Sequence, residues 1–221
     1  MELSRELVLL CEGADDQYFF SQMMRRPSLP SFDIPFPTDR LHGNGAYGEM
    51  LKAIQGAGIA FNSVRGVLIV ADSTDNPSAV FGSIRRQVQS AGSFPLPANP
   101  TEIALGNREF PAIQIMLLPD HNKAGCLETL YVEELERTNQ GVKACVEEFL
   151  GCGPITARAW PSEKADKARF HALVAALHKR DPGKTASRVF DGPSPLLSIA
   201  ANVFTPIGRR LSSFDAGARR I

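Results

Sequence analysis

No stretch of this 221-residue chain approaches the roughly 18 uninterrupted apolar residues of a membrane-spanning helix, so a membrane partner is not expected. The opening MELSRELV also lacks the basic start, apolar centre and small-residue cleavage site of a secretory signal, and the expected location is the cytoplasm. Cysteine is sparse: Cys11, Cys126, Cys145 and Cys152 form no C-x-x-C pair. That spacing suggests neither a zinc site nor a disulfide framework, and all four read as small buried hydrophobes. Net charge is lacking too, because 24 Lys and Arg balance 24 Asp and Glu. A neutral chain argues at first against a polyanionic partner, yet the charge is unevenly spread. Residues 1–154 hold 12 basic against 19 acidic side chains, a balance of −7, and residues 155–221 hold 12 against 5, a balance of +7. An acidic site facing a basic tail suits a metal-dependent enzyme acting on a polyanion; equally, the two segments can simply attract each other and pack.

The chain does contain 43% hydrophobic residues, enough for a sizeable core, arranged in its first half as alternating strand-like and helix-like segments. Residues 6–11 form an apolar run too short for a helix and are predicted as a buried strand. Residues 15–26 carry Phe19, Phe20, Met23 and Met24 at helical spacing and are stopped by Pro27 and Pro30. A proline-rich loop with a short strand at 39–42 leads to a glycine-rich entry into a helix over 47–60. "RGVLIVA" at 65–71 is the clearest strand, and 76–89 reads as a helix with Pro77 in its first turn. "AIQIMLL" at 112–118 is a third strand, followed by a loop that becomes a helix. From about residue 141 the pattern is helical, over 142–150, 163–180 and pieces of 195–214. Strands joined by helices predict an α/β fold, an open, mostly parallel sheet flanked by helices, with a helical C-terminal segment. Residues 1–140 are expected to form the α/β domain and 141–221 a helical extension packed on it, without independence.

Open sheets of this kind bind ligands beyond the carboxyl ends of their strands, and acids stand at all three ends: Glu12, Asp72 and Asp120. Neighbouring parallel strands lie about 4.8 Å apart, so carboxylates from adjacent ends can share one divalent cation. Mg²⁺ or Mn²⁺ is the cofactor expected, since zinc would want His and Cys ligands that these loops mostly lack. His121 is a lone histidine in a polar loop and reads as solvated.

"LVLLCEGADD" resembles the first motif of the Toprim domain, an apolar strand ending in Glu-Gly with an Asp four residues after the Glu. "VLIVADSTDNP" resembles its second motif, a strand ending in Asp-x-Asp. Taken with "LLPDHNKAGCLETLYVEEL" and a lysine-bearing helical tail, the chain is most similar to small stand-alone Toprim-like proteins of unknown function, related to the overcoming-lysogenization-defect nucleases. The resemblance covers residues 5–135 best. It implies a compact α/β fold that handles phosphodiester bonds with Mg²⁺. It further implies that Glu12 is a general acid or base, that Gly13 permits a tight turn, that Asp16 binds a second cation or orients the first, and that Asp72 is the main metal ligand. Glu128 matches a recurring acid that would be a further ligand or a partner of Asp120. The second acid of Asp-x-Asp falls on Thr74, and Asp75, one residue late, replaces it as a ligand only if "STDNP" bends the chain.

Each of these residues also has a purely structural reading. Asp15 is assigned to the helix N-terminus, and Asp16 stands between that job and the site. Asp75 or Asn76 is a natural N-cap ahead of Pro77, which outweighs the ligand reading of Asp75. Glu128 in a first helical turn complements the helix dipole without further role. "HGNGAYG" lacks the Lys-Ser/Thr of a P-loop, so its glycines read as turn residues. Lys164 and Lys167 could neutralise phosphoryl charge, or simply line an exposed helix face. The function expected is a Mg²⁺-dependent phosphodiester-handling protein, a Toprim-type nuclease hydrolysing nucleic acid. Tyr18, Tyr47 and Tyr131 match no topoisomerase context, and without an ATPase P-loop any nucleotide-driven partner would be a separate protein chain. The alternative, which Thr74 favours, is a catalytically degenerate module binding metal, nucleotide or a protein partner. A small-molecule phosphatase ranks last, because it would place a nucleophilic Asp where Glu12 stands.

Overall fold

The computed structural model describes residues 3–156 and 160–219. Three strands, β1 (Leu7–Leu10), β2 (Gly66–Asp72) and β3 (Ala112–Leu118), pair in parallel in the order β1-β2-β3, so the strand with the clearest apolar signal is the central one. The helices are α1 (Ala14–Met23), α2 (Tyr47–Gln55), α3 (Pro77–Ala91), α4 (Leu127–Thr138), α5 (Gln140–Gly151), the one-turn α6 (Gly153–Thr156), α7 (Ser162–Leu177) and α8 (Thr205–Ala218). This is an α/β fold with a parallel open sheet and flanking helices. Among the described residues no helix is long and apolar enough to cross a membrane.

Alternation along the strands sorts the core into two layers. Leu7, Leu9, Leu68, Val70, Ala112, Met116 and Leu118 face α1, α4, α7 and α8, where Phe19, Tyr131, Phe170 and Phe214 fill the space. Val8, Leu10, Val67, Ile69, Ile113, Ile115 and Leu117 face α2 and α3, against Tyr47, Leu51, Ile84 and Val88. Because both faces are buried, the strands read as continuous apolar runs rather than alternating ones. Residues of α5, α7 and α8 belong to the same apolar cluster as residues of β1, β2 and β3. Asp15 Oδ1 accepts the Ser187 N–H at 3.0 Å, and the Tyr18 hydroxyl donates to Asp191, which ties α1 to the C-terminal segment as well.

Three local expectations are corrected. Residues 39–42 form no strand; Thr38 and Leu41 instead exchange backbone hydrogen bonds across a tight turn. The single helix expected over 47–60 stops at Gln55, and after Gly56 a 3₁₀ turn covers Gly58–Ser63, entered through Gly58 at φ +63°. Asp15 does not cap α1; Asp16 does, its Oδ2 accepting the Gly13 N–H at 3.0 Å. Asn76 caps α3 as expected, its side chain accepting the Ala79 N–H at 3.0 Å ahead of Pro77.

At the N-terminal end of β2, Gly66 lets α8 approach the sheet. A Cβ there would stand 2.8 Å from Phe214 Cζ and 3.1 Å from the Ala218 methyl. Gly66→Ala should therefore lower the urea midpoint by an amount equivalent to about 1–3 kcal/mol with an unchanged m-value, and a neutral result would show that α8 is free to slide.

Candidate functional site

The carboxyl ends of β1 and β2 are neighbours, which is the condition that shared coordination by their acids requires. Glu12, just past β1, places its Oε1 3.2 Å from the Asp72 N–H at the end of β2 and accepts from it. Asp72 Oδ1 in turn accepts the Leu127 N–H at 3.0 Å, at the first residue of α4. What brings α4 to Asp72 is the loop before it. Thr74 takes a left-handed conformation (φ 49°), and its N–H donates to the Gly125 carbonyl at 2.8 Å while the Gly125 N–H donates back at 2.7 Å. Buried Ser73 adds a hydroxyl bond to the Lys123 carbonyl at 2.6 Å. Gly125 itself sits at φ +138°, and a Cβ there would stand 2.5 Å from Thr129 Oγ1, so only glycine fits. Cys126 then caps α4 through Thr129 Oγ1, which accepts the Cys126 N–H at 3.0 Å and donates to Asp166 on α7. The result is that ligand atoms of Asp72, Cys126 and Glu128 all lie within 4.8 Å of one another.

Burial, reinforced by the crowding of carboxylates, sets the electrostatics. Burial first, then the charges of Glu128 and Asp15, push Asp16 up from 3.8 to about 7, against the pull of the Gly13 N–H and of Lys167. Asp72 is raised well above the carboxylate range by burial and by Asp16, Glu12 and Glu128, with Lys167 again opposing. Glu12, Asp16, Asp72 and Glu128 thus crowd together at partly buried positions, with Lys167 of α7 opposing the shifts of both Asp16 and Asp72. Such a group relieves its repulsion either by holding protons or by holding a cation. The donor set, oxygen-rich with one thiol, fits a divalent ion.

A family model described as "Protein of unknown function (DUF3226)" matches residues 6–205, nearly the whole chain. The chain belongs to the DUF3226 family. Neither the curated proteins nor the solved structures compared with it include a match. In this DUF3226 member the matched span holds every group of the acidic pocket, from Glu12 to Lys167, and ends at the start of α8.

Not all the expected site residues converge. Asp120 lies beyond β3 on the other side of α4, where Arg210 Nη2 donates to it at 2.8 Å and to His121 Nδ1 at 2.9 Å; it lines an open cavity of about 490 Å³ with Lys123, Glu133 and Arg137. Glu128 is therefore a neighbour of Asp72 and not of Asp120. Asp75 is exposed and stands outside the Asp72–Cys126–Glu128 group, although the chain does turn at Thr74. In the glycine-rich loop the Gly43 N–H is used on the Glu12 carbonyl at 2.8 Å, which seats the loop against the site. Cysteines divide: Cys11 and Cys126 are buried, Cys145 and Cys152 are exposed. Cys126 is the group that sequence reasoning passed over. Its signal was local, an acid two residues on at a helix start in "GCLET".

Proposed function

We propose that this chain is a divalent-cation-dependent protein acting on phosphodiester bonds, and that its reaction is hydrolysis of nucleic acid. The observation that carries the reading is the Glu12–Asp72 pair at the ends of adjacent parallel strands, where the Glu12 carboxylate accepts the Asp72 backbone N–H at 3.2 Å, with Glu128 and Asp16 acting on Asp72 as further negative charges. Asp72 and Glu128 are the residues to hold Mg²⁺ or Mn²⁺, which supplies Lewis acidity toward a phosphoryl oxygen and lowers the pKa of water. Glu12, fixed against the strand end, orients an attacking water. Asp16, raised to about 7, is poised to exchange a proton near neutral pH. Lys167 offsets negative charge at Asp16 and Asp72, and the basic C-terminal segment suits a polyanionic substrate.

The test is incubation with labelled single- and double-stranded DNA and RNA in Mn²⁺. Cleavage is expected, with Glu12→Gln and Asp72→Asn each lowering the rate by about 100-fold or more. Cleavage undiminished in Glu12→Gln would sink the mechanism. A second reading has its own support in Thr74, whose backbone closes the bridge to Gly125 where the Toprim-like pattern has its second acid. On that reading the protein binds a cation with a nucleotide or a protein partner and cleaves nothing; cation binding without cleavage of any of the four substrates is its expected result.

A further inference from the structure

A cysteine stands among the acids at the strand ends. Cys126 is fully buried, and its Sγ, an Asp72 oxygen and a Glu128 oxygen lie within 4.8 Å of one another. Ligands 2.0–2.3 Å from a tetrahedral ion stand roughly 3.3–3.8 Å apart, so small side-chain adjustments close this triplet on a metal. Asp72 spends Oδ1 on the Leu127 N–H and keeps Oδ2 for other use. Cys126 is also the N-cap of α4; burial and the charges of Glu128 and Asp72 push its thiol up, so its proton is held until a cation takes its place, and the positive end of the helix offsets part of that cost. A second, independent observation points to a ligand at this face. The Tyr131 hydroxyl is buried and has no hydrogen-bond partner among the described residues. It lies three residues after Glu128 on α4, hence on the same helix face, and Asp16 and Glu128 are the charges it feels most. A polar ligand bound by Glu128 gives that hydroxyl the partner it lacks.

We infer that Cys126 is a thiolate ligand beside Asp72 and Glu128, and that the site takes a borderline cation of the zinc and cobalt class in preference to Mg²⁺. Thiolate selects softer ions, whereas Mg²⁺ is served by oxygen alone. On binding, the thiol proton leaves to solvent and a sulfur–metal bond forms, with no change of oxidation state. The inference rests on the proposed cation site and sharpens it.

Co²⁺ tests it, because a cobalt–thiolate bond gives a near-ultraviolet charge-transfer band that oxygen ligands do not. The protein to use carries Cys145→Ser and Cys152→Ser, which removes the exposed thiols. Titration with Co²⁺ should produce the band. Adding Cys126→Ser should abolish it and weaken Co²⁺ binding, followed by equilibrium dialysis, by at least the roughly 10- to 100-fold that loss of a supporting partner costs. Zn²⁺ should displace Co²⁺ while Mg²⁺ in large excess should not. Co²⁺ bound without the band in the parent protein overturns the thiolate ligand and leaves the carboxylate site standing; a parent protein that binds neither Co²⁺ nor Mn²⁺ overturns both. If Cys126→Ser does not fold, Cys11→Ser keeps the test decisive, because Cys11 is the other buried thiol near Glu12 and Asp16 and the band must survive its loss.

Discussion

Asp16→Asn should raise the thermal midpoint of this protein at pH 8 and leave it nearly unchanged at pH 4. The folded protein raises Asp16 from 3.8 to about 7, so it binds that proton more tightly than the unfolded chain does. The stabilisation is complete below pH 3.8, drains away between pH 4 and 7, and is gone above 7, where the fold must hold an unwelcome anion. At 1.36 kcal/mol per tenfold change in proton affinity, the rise amounts to about 4 kcal/mol. For a chain of this length that is roughly 8–16 °C in midpoint. Asparagine keeps an oxygen for the Gly13 N–H and carries no charge, so it removes the penalty without removing the cap. The proton belongs to the cluster rather than to one carboxyl, and Asp72→Asn should flatten the same slope. A saturating cation should replace the proton, with about 2.7 kcal/mol gained at one hundred times its dissociation constant. A midpoint difference between wild type and Asp16→Asn that does not vary with pH would refute the account.

Phe204→Ala is expected to cost about 3–5 kcal/mol, and to do so in one cooperative transition. The Phe204 ring lies 5.2 Å from Phe19 and 5.9 Å from Tyr131, between centroids, with Phe190 at 6.0 Å. These rings join α1, α4 and the C-terminal segment across one face of the sheet. Phe19 follows Asp16 by less than one helical turn, and Tyr131 follows Glu128 likewise, so the same truncation should loosen the pocket and weaken cation binding. Urea unfolding followed by circular dichroism and by cation affinity would show the two losses together; two separate transitions would make 141–221 an independent unit.

Much of this architecture is legible in the chain because it is local. "GVLIVAD" and "AIQIMLL" announce buried strands by length and branching, and Asn76-Pro77 announces a helix start by cap chemistry. The acids at the strand ends were legible for the same reason. What could not be read is pairing over distance. That Asp120 would be held by Arg210, ninety residues on, leaves no periodic trace. Asp15 and Asp16 differ by one position, about 100° around a helix, and only the location of Ser187 assigns one to the tail and the other to the cap. Cys126 reads as a hydrophobe by composition, and its place beside Asp72 depends on the Thr74–Gly125 bridge, a pairing over distance.

The pocket draws Glu12 and Asp16 from the start of the chain, Asp72 from its middle, Cys126 and Glu128 from beyond that, and the influence of Lys167 from late in the sequence. No contiguous piece shorter than residues 12–167 contains them all. Parallel pairing and such long separations place the site among the last features to assemble during folding. A nascent or clipped chain therefore lacks the assembled acid cluster until most of it has been made, and the cluster cannot be transplanted as a short motif.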